Sequence, residues 1–340
     1  MSVNFFGSYN GLEVREAVLE NSTNSVSILS FGAITRDWRV DLGSKAIPVV
    51  LGFDSIESYW NDKNFMGIIA GRYANRIDKG KLKVGDFDYQ LLLNDYPNHL
   101  HGGHFGFGKK NWELDFDSSR CSAQLRYVSS DLEEGYPGKV EVTVTITLSG
   151  NVLSYEMTAV PDQATPINLA QHNYYNLMGQ GSIWNHKIES VATQFTPVTK
   201  NMIPDGRILD TLETSVFNEL LDLNFSTQKT ILEADFKKQG VDINFVLPRN
   251  KISSPVMKVV AESGLCLELF TDQPGVQFYS GANIRNGELG HTGTSYKAFD
   301  GFCLEPQHFP SSVTIPSFPN TIYTPDKPYS QVTRVKISNL

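Results

Sequence analysis

The chain has 340 residues and a formal net charge of −8, long enough for a large core in one or two domains. Its lysines and arginines are scattered rather than gathered in a stripe that could neutralise a phosphate backbone, which excludes nucleic acid as an expected partner. No stretch approaches the roughly 18 apolar residues of a membrane span, and the opening "MSVNFFGSYNGLEVREAVLE" lacks a basic segment followed by an apolar one, so a soluble chain without a signal peptide is expected. The three cysteines, Cys121, Cys266 and Cys303, are odd in number and far apart. They read as free thiols in a reducing, cytoplasmic compartment.

Along the chain, short β-rich runs recur between Gly, Asn, Asp and Pro clusters: "SVSILSFG", "FDYQLLL", "AQLRYVS", "PVMKVVAESGLCLELFTD" and "QVTRVKIS". The clearest is residues 139 to 160, where Val140, Val142, Val144, Ile146 and Leu148 alternate with polar residues before Ser149-Gly150-Asn151 turns the chain. That is a hairpin with one buried face. Helical candidates are few and short, Ser55 to Asn61 and Ser215 to Leu223, too short for the crossovers of a parallel sheet. Without repeats or a linker-like break, one all-β domain of antiparallel sandwich type over residues 1 to 340 is the economical reading.

Six places could carry chemistry. "IAGRYANRI" offers Arg72, Asn75 and Arg76, whose forked or bifunctional polar groups suit hydroxyls or carboxylates; pairing with structural carboxylates is the plainer alternative. "YPNHLHGGHFGFG" holds Asn98, His99, His101 and His104; in a strand His99 and His101 would share a face, a spacing seen in metal sites, although no acidic or Cys ligand follows closely. His172 sits in the apolar run "INLAQHNYYNLMGQG", either as a satisfied core histidine or as a proton carrier. Asp242 precedes an apolar strand, Gln277 lies between Val276 and Phe278, and Glu305 follows "GFCL" directly before Pro306, which stiffens the strand end. There is no GxGxxG, P-loop, GxSxG or CxxC motif. The remaining set suits a polar sugar pocket with an acid and a base.

The chain resembles the aldose 1-epimerase, or galactose mutarotase, family. The resemblance rests on "VVLGFDSIESY", "GRYANRI", "NHLHGG", "QHNYYNLMGQG", "FTPVTKNMIPDGRI", "GVDINFVL", "QPGVQFYSG" and "GFCLEPQHFPSSV", which run in family order through the whole chain. It implies a large twisted antiparallel β-supersandwich of the galactose mutarotase-like kind, with few short helices, and no cofactor or metal. It further implies His172 as general acid and Glu305 as general base. Arg72, His101, Asp242 and Gln277 then match residues that hold sugar hydroxyls, with Asn75, Arg76 and Asn98 in support. Gln171 and Asn173 depart from the commonest pattern, which bears on sugar preference; Gln307 and His308 have no assigned role. The implied function is interconversion of the anomers of aldohexoses such as glucose and galactose, by a monomer or homodimer. The rival readings are a glycoside hydrolase built on Asp242 and Glu305, a non-catalytic sugar-binding protein of the same fold, an isomerase of phosphorylated sugars, and a metal enzyme built on His99 and His101.

Overall fold

The computed structural model describes residues 1–211, 223–224, 240–248, 252–285, 288–291 and 293–340. Among them, three antiparallel sheets dominate: five strands from the N-terminal Ser2–Tyr9 to Ala46–Pro48, a nine-stranded sheet, and a six-stranded sheet. The alternating segment folds as Val140–Ser149 against Val152–Pro161, with all five apolar residues of the expected face buried. Gly150 takes the turn at φ +57°, where a side chain would be strained. Ser55 caps the helix Ile56–Asn61 by accepting the Ser58 N–H at 3.1 Å. The second helical candidate, Ser215 to Leu223, lies outside the described residues except for Leu223, which is in a short strand.

One apolar cluster draws on all three sheets, including Trp38 and Ile28 from the first, Leu125, Val144 and Leu267 from the second, and Phe245, Phe278 and Leu304 from the third. Layered burial of this kind is what holds a sandwich together, because each sheet hides its apolar face against another. The six-stranded sheet shows the consequence for function. Ile243, Phe278 and Leu304 pair across Asp242–Val246, Gly275–Tyr279 and Phe302–Gln307, and Phe278 and Leu304 are fully buried. Strand alternation turns the intervening residues to the opposite face: Asn244, Gln277 and Glu305 form one cross-strand row, and Asp242, Tyr279, Cys303 and Tyr174 the next. The sheet therefore has an apolar side and a polar one.

Pro306 is accommodated inside the last of these strands because the backbone there alternates too. The carbonyls of Leu304 and Pro306 turn away from Gly275–Tyr279, accepting from the side-chain amides of Gln171 and Gln331 at 2.7 and 3.0 Å. The missing proline N–H falls on that side, where no strand ladder continues.

Candidate active site

The polar side of this sheet faces a cleft of about 320 Å³ lined by Asn75, Arg76, His101, His172, Tyr174, Asp242, Tyr279 and Glu305, with Lys63, Asn64, Phe65, Leu100, Asn283 and Arg285 completing its walls. That volume is at the small-ligand end of binding cavities. A larger groove of about 790 Å³ lies between the hairpin of Lys81–Val84 and Phe87–Gln90 and residues 312 to 322. None of His101, His172, Asp242 and Glu305 lines it; these candidates gather at the smaller cleft.

His172 and Glu305 meet there. His172 Nε2 lies 3.6 Å from Glu305 Oε2, and the residues are 4% and 2% exposed. That burial matters because it shifts both groups toward neutrality. It lowers the His172 pKa to about 4, against a smaller opposing influence from the residue's own carbonyl. It pushes the Glu305 carboxyl well above the ordinary range, with Asp242 adding to the rise and Arg76 opposing it. Between the lowered His172 value and the raised Glu305 value the pair therefore holds one proton, carried by one or other of two groups 3.6 Å apart.

His101 is set beside them by local strain. The strand His99–Leu100 ends before it, and His101 and Asn75 both adopt left-handed backbone, φ +49° and +63°. Each supports the other: the Asn75 N–H donates to His101 Nδ1 at 3.2 Å, and the His101 N–H donates to the Asn75 carbonyl at 3.1 Å. With Nδ1 accepting, the neutral ring carries its proton on Nε2. Gly102 follows at φ +85°, where a Cβ would stand 1.7 Å from the Gly71 carbonyl oxygen; only glycine lets the two segments close. The His101 and His172 rings then pack edge-on at 5.1 Å.

The change of backbone at His101 also separates it from His99. His99 Nδ1 meets the Leu92 carbonyl at 2.6 Å and its Nε2 the Tyr136 hydroxyl at 2.7 Å, so both ring nitrogens are engaged in the core. The metal reading built on His99 and His101 loses its shared face. Among the described residues the group that could converge on a cation is instead His101, His172 and Glu305, with ligand atoms within 4.8 Å of one another. The Nε2–H of His101 suits a hydroxyl oxygen better than a cation.

Asp242 also lines the cleft. Its Oδ1 accepts from Gln277 Nε2 at 2.6 Å, and Arg76 Nη1 lies 3.7 Å from its Oδ2. Burial raises its pKa and Arg76 pulls it down. Arg76 is itself anchored by Asp95 at 2.7 Å. Gln277 is thus brought to the site through Asp242 rather than through the cleft wall.

Two expected residues stand elsewhere. Arg72 does not line the cleft. It is 2% exposed and donates to the carbonyls of Pro137, Gly138 and Ser130 at 2.9, 2.8 and 3.1 Å and to Ser129 Oγ at 2.6 Å, with its guanidinium 5.5 Å from the Tyr136 ring centre. It ties down the 129–138 segment, and Arg76, four residues on, is the arginine that reaches the site. Asn98 also lies outside the lining: its Oδ1 accepts from the Lys79 N–H and its Nδ2 donates to the Asn201 carbonyl at 2.9 Å, joining loops behind the site. Replacing Arg72 with Met is expected to cost at least about 2 kcal/mol of stability in urea unfolding, since each buried carbonyl left without a donor costs about 1–3 kcal/mol. A Michaelis constant raised at unchanged stability would contradict this placement.

Tyr174 and Tyr279 also form part of the cleft wall, but in sequence they are indistinguishable from the aromatic residues that fill the core.

A polar sheet face bearing two buried proton carriers at a small cleft defines a class: an antiparallel β-sandwich equipped for acid–base chemistry on a small polar ligand. The aldose 1-epimerase family model matches residues 15–336, and the chain belongs to that family. It is 38% identical to mouse and to human galactose mutarotase, covering 96% of this chain and 95% of each relative. With the aldose 1-epimerase of Escherichia coli K12 it shares 29% identity over 95% of both chains. The solved structure of an aldose epimerase homologue from C. elegans superposes with a TM-score of 0.86 at 26% identity, covering 96% of this chain and 99% of the other. That of a galactose 1-epimerase from Lactobacillus acidophilus has a TM-score of 0.83 at 24% identity, covering 99% and 98%, and supports the fold.

Proposed function

We infer that the protein is an aldose 1-epimerase that interconverts the α and β anomers of aldohexoses such as glucose and galactose. The observation that carries the residue roles is the buried contact between His172 Nε2 and Glu305 Oε2 at the cleft. Anomer exchange needs the C1 hydroxyl to lose a proton while the ring oxygen gains one. The hemiacetal C1–O bond breaks, the aldehyde rotates about C1–C2, and the ring recloses on the other face.

In this reading the Glu305 carboxylate takes the C1 hydroxyl proton and His172 Nε2–H gives one to the ring oxygen, each such transfer contributing on the order of 10²–10⁴-fold. The single proton of the pair is conserved. Before opening it resides on His172; after opening, Glu305 holds the proton from the sugar and His172 is neutral. Burial favours that second state. A C1 hydroxyl donating to Glu305 and a ring oxygen accepting from His172 favour the first, so bound sugar brings the two states closer in energy. Closure reverses the roles.

His101 Nε2–H is suited to a sugar oxygen beside the reacting centre, and Asp242, Arg76 and Asn75 to hydroxyls farther round the ring. Gln277 acts by holding Asp242. The three free cysteines suit the cytoplasm, which we include in this reading. Polarimetric rates over fresh α-glucose, α-galactose and xylose test it and rank the sugars. Release of aryl alcohol from aryl glycosides, with no change in anomer exchange, would favour a hydrolase instead. The mechanism routes no step through a metal, so exhaustive chelation is expected to leave the mutarotation rate unchanged; chelator-sensitive activity with stoichiometric zinc or iron would contradict it.

A further inference from the structure

The proton transfers above use one nitrogen of His172 and leave the other to be explained. Nε2 gains and loses a proton in each turnover, so Nδ1 must keep its own throughout. If Nδ1 lost its hydrogen, the neutral ring could carry the proton on Nε2 and could not take one back from the sugar. A buried Nδ1–H needs an acceptor that holds the ring at this angle.

Cys303 stands at that place. It lies two residues before Glu305 on the same strand, so both side chains emerge on the polar face, and it pairs in register with Tyr174. Its Sγ lies 3.6 Å from His172 Nδ1, and it is fully buried. We infer that Cys303 is a positioning residue for catalysis: its sulfur accepts the His172 Nδ1–H and keeps Nε2 turned toward Glu305. The role rests on the epimerase reading for its kinetic assay.

The choice of sulfur has a chemical reason. A carboxylate in this place would fix the ring firmly but would stabilise the imidazolium and weaken His172 as an acid. A thiol sulfur is a weak acceptor; it orients the ring while adding little charge stabilisation. Burial pushes the Cys303 thiol well up, with Glu305 and Asp242 contributing, so the sulfur stays an S–H and does not become an anion beside the histidine. The other groups around the imidazole are Glu305 on the Nε2 side, the residue's own carbonyl and the rings of His101, Tyr174 and Phe65, with centroids at 5.1, 5.2 and 6.0 Å; the Tyr174 hydroxyl also reaches the Cys303 sulfur. The rings supply walls, and Cys303 supplies direction.

The test compares Cys303→Ala and Cys303→Ser in the full chain, with kcat, KM, thermal midpoint and the pH–rate profile measured together. The alanine variant is expected to lose about tenfold in kcat, the equivalent of one hydrogen bond of about 1.4 kcal/mol, at unchanged KM, with a thermal midpoint lowered by the cavity that the missing buried sulfur leaves. The serine variant, a stronger acceptor of similar shape, is expected to recover most of that rate and to move the acid limb of the profile to higher pH. Wild-type kcat in both variants, or an equal loss in both with a raised KM, would overturn the assignment. Nitrogen-15 NMR of His172 in the wild-type protein gives a reading independent of folding of the variants and of turnover. A neutral ring protonated on Nδ1 agrees with the assignment, and one protonated on Nε2 contradicts it. An enzyme inactive on every aldose would remove the epimerase reading while leaving that NMR result to decide the contact.

Discussion

Substituting Glu305 by Gln is expected to lower the mutarotation rate constant by about 10²–10⁴-fold, the usual size of one positioned proton transfer, with KM changed only a few-fold. The side chain keeps its length and its place in the row with Gln277 and Asn244, so hydroxyl contacts elsewhere in the cleft survive. What disappears is the acceptor for the C1 proton. Stability is expected to hold or rise. A carboxyl whose pKa is raised on folding opposes the folded state at pH values above its ordinary range, and a neutral amide removes that opposition. The residual activity, carried by protonated His172, should fall as pH rises. Polarimetry of the variant at saturating sugar gives the number, and a rate within tenfold of wild type would remove Glu305 from its role.

His172→Asn is expected to lose a similar factor, with the opposite pH signature. The imidazole sits between Glu305 and Cys303, and an amide in its place cannot carry a proton to the ring oxygen. Glu305 remains as the only carrier of the pair and works only when ionised, so the residual rate should climb with pH through a value above the ordinary carboxylate range. Sugar binding, measured by calorimetry, should persist because Asp242, Arg76 and His101 are untouched. A variant that neither loses rate nor changes its pH dependence would show that another group protonates the ring oxygen.

The fold was largely legible in the sequence because strand alternation is local. Val140 to Leu148 alone announced a half-buried hairpin, and Ser55 announced a helix start. His172 and Glu305, which meet at the cleft, were legible as a candidate pair once the motifs were taken as a set; each alone had an ordinary structural explanation. What escaped was what depends on backbone detail or on register between distant strands. Arg72 and Arg76 are four residues apart in one motif, and nothing in their side chains says that the first turns into a cage of carbonyls and the second into the cleft. His99 and His101 shared a face only on the assumption of a continuous strand, which the left-handed backbone at His101 ends. Cys303 read only as a free thiol because its contact with His172 joins residues 131 positions apart. The same register explains why Gln277 and Asp242 were both found but their contact was not: the hold of one on the other arises only when Asp242–Val246 and Gly275–Tyr279 pair.

The pH dependence of kcat/KM for mutarotation of α-galactose by the wild-type protein, followed polarimetrically, tests the central claim that one proton shared by His172 and Glu305 drives anomer exchange. Adding a second proton to the pair removes the base, and burial places that step near pH 4, the lowered His172 value. Removing the last proton removes the acid, and the raised Glu305 value places that step above the ordinary carboxylate range. The expected result is a bell with its plateau between those limits, reduced to a rising limb alone in His172→Asn and to a falling limb alone in Glu305→Gln. A rate no faster than spontaneous mutarotation at every pH, or one that rises without limit toward alkali, would contradict it.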